Sequence, residues 1–114
     1  MHALLKDGAV VVAELMVARR FHERLFGLMG RARLGRGRAL LLHPCGSIHT
    51  CFMRFPLDVL FLDADNQVVR RVDHVRPWRV ALGGARAVSV VEMEAGWLPP
   101  DAVKAGDRLI SSLR

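Results

Sequence analysis

The sequence predicts a mainly β domain of the α+β class, a small barrel-like or sandwich-like mixed sheet with one short amphipathic helix near residues 20–29. Three observations support this fold class: short apolar runs recur along the chain, turn residues separate them, and only one stretch has helical spacing. This pattern is typical of small β folds rather than of alternating βαβ units. Because the chain has 114 residues, we expect a single domain spanning 1–114.

The first elements are predicted to form a β-hairpin. Residues 9–17 are rich in valine, which favours an extended chain, and Ala3 to Leu5 form a shorter apolar run before them. The intervening Lys6-Asp7-Gly8 supplies a glycine turn.

A helix is predicted after the hairpin. The apolar residues there are spaced at i, i+4, i+7 and i+8, namely Phe21, Leu25, Leu28 and Met29. Gly30 is suited to end such a helix.

The rest of the chain is predicted to be strands joined by turns and loops. Asp63 to Asn66 have the composition of a turn, whereas the segment bracketed by Pro77, Gly83 and Gly84 is expected to be irregular. The predicted strands cover residues 39–42, 48–52, 57–62, 67–75, 87–93 and 108–113.

The positive charge of the chain, formally +6, is concentrated in one segment. Between residues 19 and 38, Glu23 is the single acidic residue among seven arginines. Such a segment is either a solvated face or a surface that attracts nucleic acid, another anion or an acidic partner. The candidate basic surface comprises Arg19, Arg20, Arg24, Arg31, Arg33, Arg36 and Arg38.

Residues 45–58 carry the densest set of reactive and polar side chains. We expect this segment to be presented to a small ligand or a protein partner by a non-enzymatic binding module. The candidate ligand-binding residues are Ser47, His49, Thr50, Met53, Arg54 and Asp58.

Two other functions remain open for the same segment. If residues 48–53 are extended, His49, Cys51 and Met53 share a face. Cys45, His49 and Cys51 form a candidate site for zinc or copper. No other cofactor is predicted, and the spacing differs from the paired Cys-x2-Cys pattern of structural zinc sites. A metal-dependent or thiol-dependent enzyme would use these three residues together with Asp58.

The same residues also have a purely structural interpretation. Cys51 and Met53 would fill the core, His49 would bond to the backbone, and Asp58 would pair with Arg54 or with backbone amides. Trp78 and Trp97, each next to a proline or glycine, would wall a pocket or anchor loops over the core.

The sequence predicts no transmembrane segment and a cytoplasmic location. The longest apolar run near the start is interrupted by Glu14 and is shorter than the roughly 18 residues that a spanning helix needs. The two cysteines are too few for the disulfide framework of a small secreted domain.

Four separated motifs resemble one known family. The string from Ser47 to Asp63 looks like the signature of domain-of-unknown-function family 192, also called uncharacterised protein family 0127. Three further segments, Arg24 to Arg31, Val91 to Gly96 and Gly106-Asp107, are similar to other parts of that family in the same order. The resemblance implies a compact mixed-β fold and no particular activity.

One position departs from the family pattern. Many members have an aromatic-Met-Lys-Asn string where this chain has Phe52-Met53-Arg54-Phe55. The basic residue is kept in kind, but Phe55 replaces a polar amide, so a ligand role for that amide does not transfer to this chain.

Overall fold

The computed structural model describes residues 2–20 and 28–113. Apolar runs separated by turns make this part of the chain almost entirely strand and loop, as predicted from the sequence. The strands within it are β1 His2–Lys6, β2 Ala9–Ala18, β3 Arg38–Leu42, β4 Ser47–His49, β5 Leu57–Leu62, β6 Val68–Val75, β7 Val80–Leu82, β8 Ser89–Glu94 and β9 Ile110–Leu113.

Seven of these strands form one curled sheet that resembles half of a barrel, in the order β6-β5-β8-β3-β2-β1-β9. All neighbours in this sheet are antiparallel except β2 and β3, which run in the same direction. The short strands β4 and β7 pair separately as an antiparallel ribbon. The mainly β fold class is therefore confirmed.

The central strands β5 and β8 are buried along almost their whole length, so both faces of the sheet are covered there. Side chains alternate along β5, so Leu57, Val59 and Phe61 point to one face, whereas Leu60 and Leu62 point to the other. The first face forms a core, here called core A, that also contains Ile48 of β4 and Ala81 of β7. The second forms core B, which the segment 98–109 closes through Leu98, Val103 and Leu109.

The predicted helix near residues 20–29 is not supported. Residues 21–27 lie outside the described part of the chain, while Arg20 is in a bend and residues 28 and 29 are in a turn. Leu28 nevertheless faces core A and is 1% exposed. The described residues contain no helix, and hence none that could cross a membrane.

Two local predictions around the ribbon were wrong. The predicted strand 48–52 ends at His49, because the chain turns at Thr50 and reaches a left-handed φ of 64° at Phe52. His49, Cys51 and Met53 therefore do not line up on one strand face. Conversely, β7 lies inside the segment expected to be irregular, because pairing with β4 stabilises three residues that carry little strand signal of their own.

Candidate functional site

The candidate site is the outward face of the β4–β7 ribbon and the two loops that follow β4 and precede β7. The ribbon register places Ser47 opposite Leu82 and His49 opposite Val80. Because Ile48 and Ala81 between them point into core A, these four residues lie on the outward face. Two of the predicted ligand-binding residues, Ser47 and His49, are thus brought next to two apolar side chains that are more than half exposed.

Thr50 connects the two loops at one end of the ribbon. Its side chain is completely buried, and its hydroxyl donates a hydrogen bond to the carbonyl of Arg76 at 2.6 Å. The same oxygen accepts a hydrogen bond from the Arg79 amide at 2.8 Å. The Thr50 backbone adds bonds to the Trp78 amide and the Arg79 carbonyl. The hydroxyl, predicted to contact a ligand, thus bonds to the backbone on both sides of Trp78.

This connection brings two aromatic rings together at the surface. The centroids of Phe52 and Trp78 are 4.7 Å apart, with an angle of 62° between the ring planes. Both side chains are about three-fifths exposed, at 60% and 58%. Both residues also have a left-handed backbone, with φ of 64° and 65°. We refer to Phe52 and Trp78 as the aromatic pair.

Arginines surround the aromatic pair in the sequence and share its exposure. Arg54 follows Phe52 by two residues, and Arg76 and Arg79 flank Trp78. All three side chains are exposed and are called here the rim arginines. Their charges make this end of the ribbon positive.

A groove of about 620 Å³ runs between β6 and β7, next to the rim arginines. Each of these strands has one partner strand in the described sheets. The guanidinium of Arg70 on β6 donates a hydrogen bond to the carbonyl of Leu82 on β7 at 2.7 Å. The groove is lined by Arg70, Val72, Asp73, His74, Val75, Arg76, Arg79, Val80, Ala81 and Leu82.

The Cys45 thiol and the His49 ring have local hydrogen-bond partners. The Cys45 thiol donates to the carbonyl of Ser47 at 2.9 Å, and the Cys51 amide donates to Nδ1 of His49 at 3.2 Å. Met53, also predicted to bind a ligand, is buried in core A. Nowhere in residues 2–20 and 28–113 do three or more histidine, cysteine, aspartate or glutamate side chains converge as a metal site would require.

Asp58 lies apart from the rest of the segment. Neighbouring β5 residues Leu57 and Val59 face core A, against which Cys45 packs, so Asp58 points to the opposite face of the sheet. Its carboxylate accepts hydrogen bonds from the amides of His74 and Gly96. The enzyme hypothesis requires Cys45 and Asp58 to lie in one pocket. The structure instead places them on opposite faces of the sheet.

Comparison with known proteins places the chain in a family. The model of DUF192, described as "Uncharacterized ACR", matches residues 3–111. The chain belongs to the DUF192 family. It is 31% identical over 109 residues to a UPF0127 protein of Pyrococcus furiosus, with 90% of each chain covered. A UPF0127 protein of Pyrococcus abyssi is 34% identical over 109 residues, which cover 90% of this chain and 86% of the relative.

The fold is also similar to a solved structure. A protein of unknown function from Novosphingobium aromaticivorans superposes with a TM-score of 0.82 at 21% sequence identity. The match covers 96% of this chain and 82% of that protein. The resemblance to DUF192 that the motifs indicated is thus confirmed.

The segments of the DUF192 signature can be placed in this fold. The string 47–63 spans β4, the loop that carries Phe52, and β5. Phe55, which replaces the amide common in the family, is 7% exposed and packs into core A. Two of the family's other segments include a turn, at Gly96 after β8 and at Gly106, where glycine adopts the left-handed φ angle without strain.

Six of the seven arginines of the predicted basic surface lie in the described residues, just after β2 and from the loop before β3 to its first residue. Arg24 lies outside the described residues, and Arg19 and Arg20 are exposed after the end of β2. Arg31 and Arg36 are exposed in the loop before β3. The two that remain form ion pairs, Arg33 with Glu94 at 3.0 Å and Arg38 with Glu14 at 2.9 Å.

Glu94 holds the loop before β3 against the sheet. Its carboxylate accepts hydrogen bonds from the Arg33 side chain and from the amides of Leu34 and Gly35. The Arg33 hydrogen bond first, and then the two amides, lower the pKa of this carboxyl below its usual value. The contact of Arg33 with Glu94 therefore helps to hold this loop in place.

Glu92, two residues earlier on β8, is an ionisable group that the sequence analysis missed. It is 4% exposed, and its Oε1 atom is buried without a hydrogen-bond partner among the described residues. Its cross-strand neighbours are Leu40 and Val59, both apolar. Burial raises the pKa of Glu92 to about 7. The Val-Val-Glu-Met string could have indicated this group, because an acidic residue within an apolar strand sequence is costly to bury as a charge.

Proposed function

We propose that this protein is a binding module that docks an acidic, extended segment of a partner protein on the β4–β7 ribbon. The observation that carries the proposal is the aromatic pair, two large rings in contact with each other and more than half exposed. This agrees with the function expected from the sequence for residues 45–58, and it adds Trp78 and β7 to the surface.

Exposing the aromatic pair has an energetic cost. Full burial of a Phe side chain contributes about 1.5–3 kcal/mol to the stability of a fold. The two exposed rings lack much of this contribution. Each also sits on a left-handed backbone, a conformation that costs a non-glycine residue on the order of 1–3 kcal/mol. Such strain concentrates at functional sites, and tryptophan with arginine dominates the energetics of protein interfaces.

The chemistry of the surrounding residues selects the partner. The rim arginines, Arg54, Arg76 and Arg79, favour a segment rich in aspartate or glutamate. The neighbouring groove runs between two strand edges, β6 and β7, which suits a peptide in extended conformation. Val80 and Leu82 add exposed apolar contacts on β7 for alternate side chains of such a peptide.

Single-stranded nucleic acid is a second candidate for the same surface. Exposed aromatic rings among arginines are also the composition on which bases stack while phosphates pair with basic side chains. The two candidates differ in the groups on which binding depends. Binding of a nucleic acid depends on its phosphates and is strongly weakened by salt, whereas binding of a peptide also requires apolar side chains.

The proposal is tested by selecting peptides from a random displayed library on the purified protein and measuring the binding of the selected peptides by fluorescence anisotropy. We expect acidic sequences with at least one large apolar residue. Trp78→Ala should weaken their binding by about tenfold or more, as expected for an interface hot spot. Matched controls are Ile110→Ala, which removes an exposed apolar side chain on β9, and Arg36→Ala, which removes an exposed loop arginine.

Replacing one rim arginine in Arg76→Ala should weaken the binding of acidic peptides more at low salt than at high salt. Selected peptides without acidic enrichment, or binding that is unchanged in Trp78→Ala, would contradict the proposal. Labelled oligothymidylate is measured in parallel. Tight, salt-sensitive binding of this probe that is lost in Trp78→Ala would favour the nucleic-acid function instead.

A further inference from the structure

The hydrogen bonds between β4 and β7 involve every second residue of β7 and its flanks. The amide of Gly83 donates to the carbonyl of Gly46 at 3.0 Å, and the carbonyl of Arg79 accepts a hydrogen bond from the amide of Thr50 at 2.8 Å. Ala81 lies midway between Arg79 and Gly83 in the same antiparallel register, so its backbone groups also point to β4.

The two residues between these positions direct their backbone groups to the other edge of β7. In an antiparallel pair, the N–H and C=O groups of alternate residues point away from the partner strand. For β7 these residues are Val80 and Leu82. The Leu82 carbonyl shows the direction independently, because it accepts a hydrogen bond at 2.7 Å from the guanidinium of Arg70, which lines the groove between β6 and β7. The edge formed by Val80 and Leu82 therefore faces this groove.

A strand placed in the groove would join the two sheets. The seven-stranded sheet ends at β6, while β7 belongs to the ribbon, and residues 76–79 connect them. The groove between β6 and β7 has a volume of about 620 Å³, and Val80 in its wall is 68% exposed. Pairing with an accessible strand edge is a common mode of peptide recognition, in which main-chain hydrogen bonds provide affinity.

The charges of the groove favour an acidic strand. Three arginines line it, Arg70, Arg76 and Arg79. Arg70 and Arg79 each donate one nitrogen to a backbone carbonyl, whereas a guanidinium has five N–H donors. The acidic residue of the lining, Asp73, is paired with Arg71 at 2.8 Å. The arginines therefore leave the groove with an excess of positive charge.

We infer that the acidic partner segment adds a strand to the edge of β7, where Val80 exchanges backbone hydrogen bonds with it. This inference rests on the function proposed above and specifies how the partner is held. The pairing is centred on Val80, because the Leu82 carbonyl is already bonded to Arg70. The backbone of the segment sets its position, and its acidic side chains meet the arginines of the groove.

An N-methyl scan of a selected peptide tests for backbone pairing on the unchanged protein. The peptide is an acidic sequence whose binding requires Trp78, and each of its amides in turn is N-methylated, which removes the donor. The amide that donates to the Val80 carbonyl should be sensitive, with a loss of about tenfold or more in affinity. The amides one residue before and after it point away from β7, so N-methylation there should change the affinity by about threefold or less.

Val80→Pro tests the same pairing from the side of the protein. Proline removes the N–H of residue 80, which points away from β4, so the ribbon keeps its own hydrogen bonds. Val80→Ala is the matched control, because it removes the same exposed side chain but keeps the N–H. Val80→Pro should bind the peptide about tenfold more weakly than Val80→Ala. Amide chemical shifts of Ile48 and Ala81 report whether the ribbon is retained, and the N-methyl scan decides alone where it is not.

The outcomes separate this inference from the proposed function. One sensitive amide flanked by tolerant ones, together with weaker binding of Val80→Pro than of Val80→Ala, is the expected result. Acidic peptides that require Trp78 but tolerate N-methylation at every position would overturn strand addition and leave the proposed function standing. Failure to select any acidic peptide that requires Trp78 would overturn both.

Discussion

The carboxylate of Asp58 lies 3.9 Å from the guanidinium of Arg71, and both side chains are at most 8% exposed. Arg71 also donates hydrogen bonds to the carbonyls of Leu98, Pro99 and Val103. The Asp58 carboxylate in turn accepts hydrogen bonds from the amides of His74 and Gly96. This buried pair therefore joins β5 and β6 to the segment that closes core B.

Removing the Asp58 carboxylate should destabilise the protein mainly through the amides that it accepts. In Asp58→Ala the amides of His74 and Gly96 lose their acceptor, whereas Arg71 keeps its ion pair with Asp73 at 2.8 Å. We expect the free energy of unfolding in urea to fall by about 1–3 kcal/mol. The control is Asp101→Ala, an exposed aspartate whose loss should change stability by about 0.5 kcal/mol or less. Equal stability of the two variants would show that the pair does not hold core B closed.

The Thr50 hydroxyl should be needed to hold the loop that carries Trp78. Thr50→Val keeps the shape of the side chain but removes the acceptor of the Arg79 amide and the donor to the Arg76 carbonyl. We expect a loss of about 1–3 kcal/mol in the free energy of unfolding.

Hydrogen exchange distinguishes this local role from general destabilisation. In Thr50→Val the Arg79 amide should exchange faster than the Trp78 amide, because the latter donates to the Thr50 backbone carbonyl, which the substitution retains. Thr50→Ser restores the hydroxyl and should restore protection. Equal acceleration of both amides would indicate a global effect instead.

The sequence predicted the fold best where local pattern and tertiary environment agree. Residues 57–62 form a continuous apolar run, and they are a strand because both faces of β5 are covered. At 48–52 the local pattern also favoured a strand, but contacts of Thr50 with residues 76–79 turn the chain instead. These contacts join positions more than 25 residues apart, so no local pattern encodes them.

The candidate site was predictable in part. The sequence located segment 45–58, because its polar and sulfur side chains are unusually dense, and Ser47 and His49 do lie on the outward face of the ribbon. It could not show that Trp78 reaches Phe52, since this contact exists only after β4 and β7 pair. The two tryptophans look alike in sequence, yet Trp78 is exposed while Trp97 packs against core B.

Gly83 should be required because a side chain at this position has no room. A Cβ atom there would lie 2.6 Å from the Cβ of Ala87 and would overlap the ring of Phe61, which is fully buried. We expect Gly83→Ala to lower the free energy of unfolding by about 1–3 kcal/mol, the cost of overpacking a core.

A double-mutant cycle tests this steric explanation. Phe61→Leu destabilises the protein by itself, because it leaves a cavity in core A. Since it also makes room beside residue 83, the combined variant should lose less stability than the sum of the two single losses. Additive losses would mean that the ring of Phe61 does not set the requirement for glycine.

Glu92 should make the stability of the protein depend on pH between about 4.5 and 7. The buried carboxyl has a pKa of about 7 in the folded protein, against an ordinary value of 4.5. In this window the folded state holds a proton that the unfolded chain has released, so the contribution to stability is complete below 4.5 and is lost as the pH rises through 7. The full effect is on the order of 3 kcal/mol.

Urea unfolding of the parent and of Glu92→Gln, measured from pH 5 to pH 8.5, isolates this group. Because the amide cannot ionise, the variant should gain on the parent as the pH rises and should be the more stable of the two at pH 8. Glu94→Gln is the matched control on the same strand. Its carboxyl has a lowered pKa, so its contribution is lost only at lower pH, and the variant should be less stable by a constant amount throughout. If the curves of the parent and Glu92→Gln ran parallel over the whole range, Glu92 would not titrate in the folded protein within it.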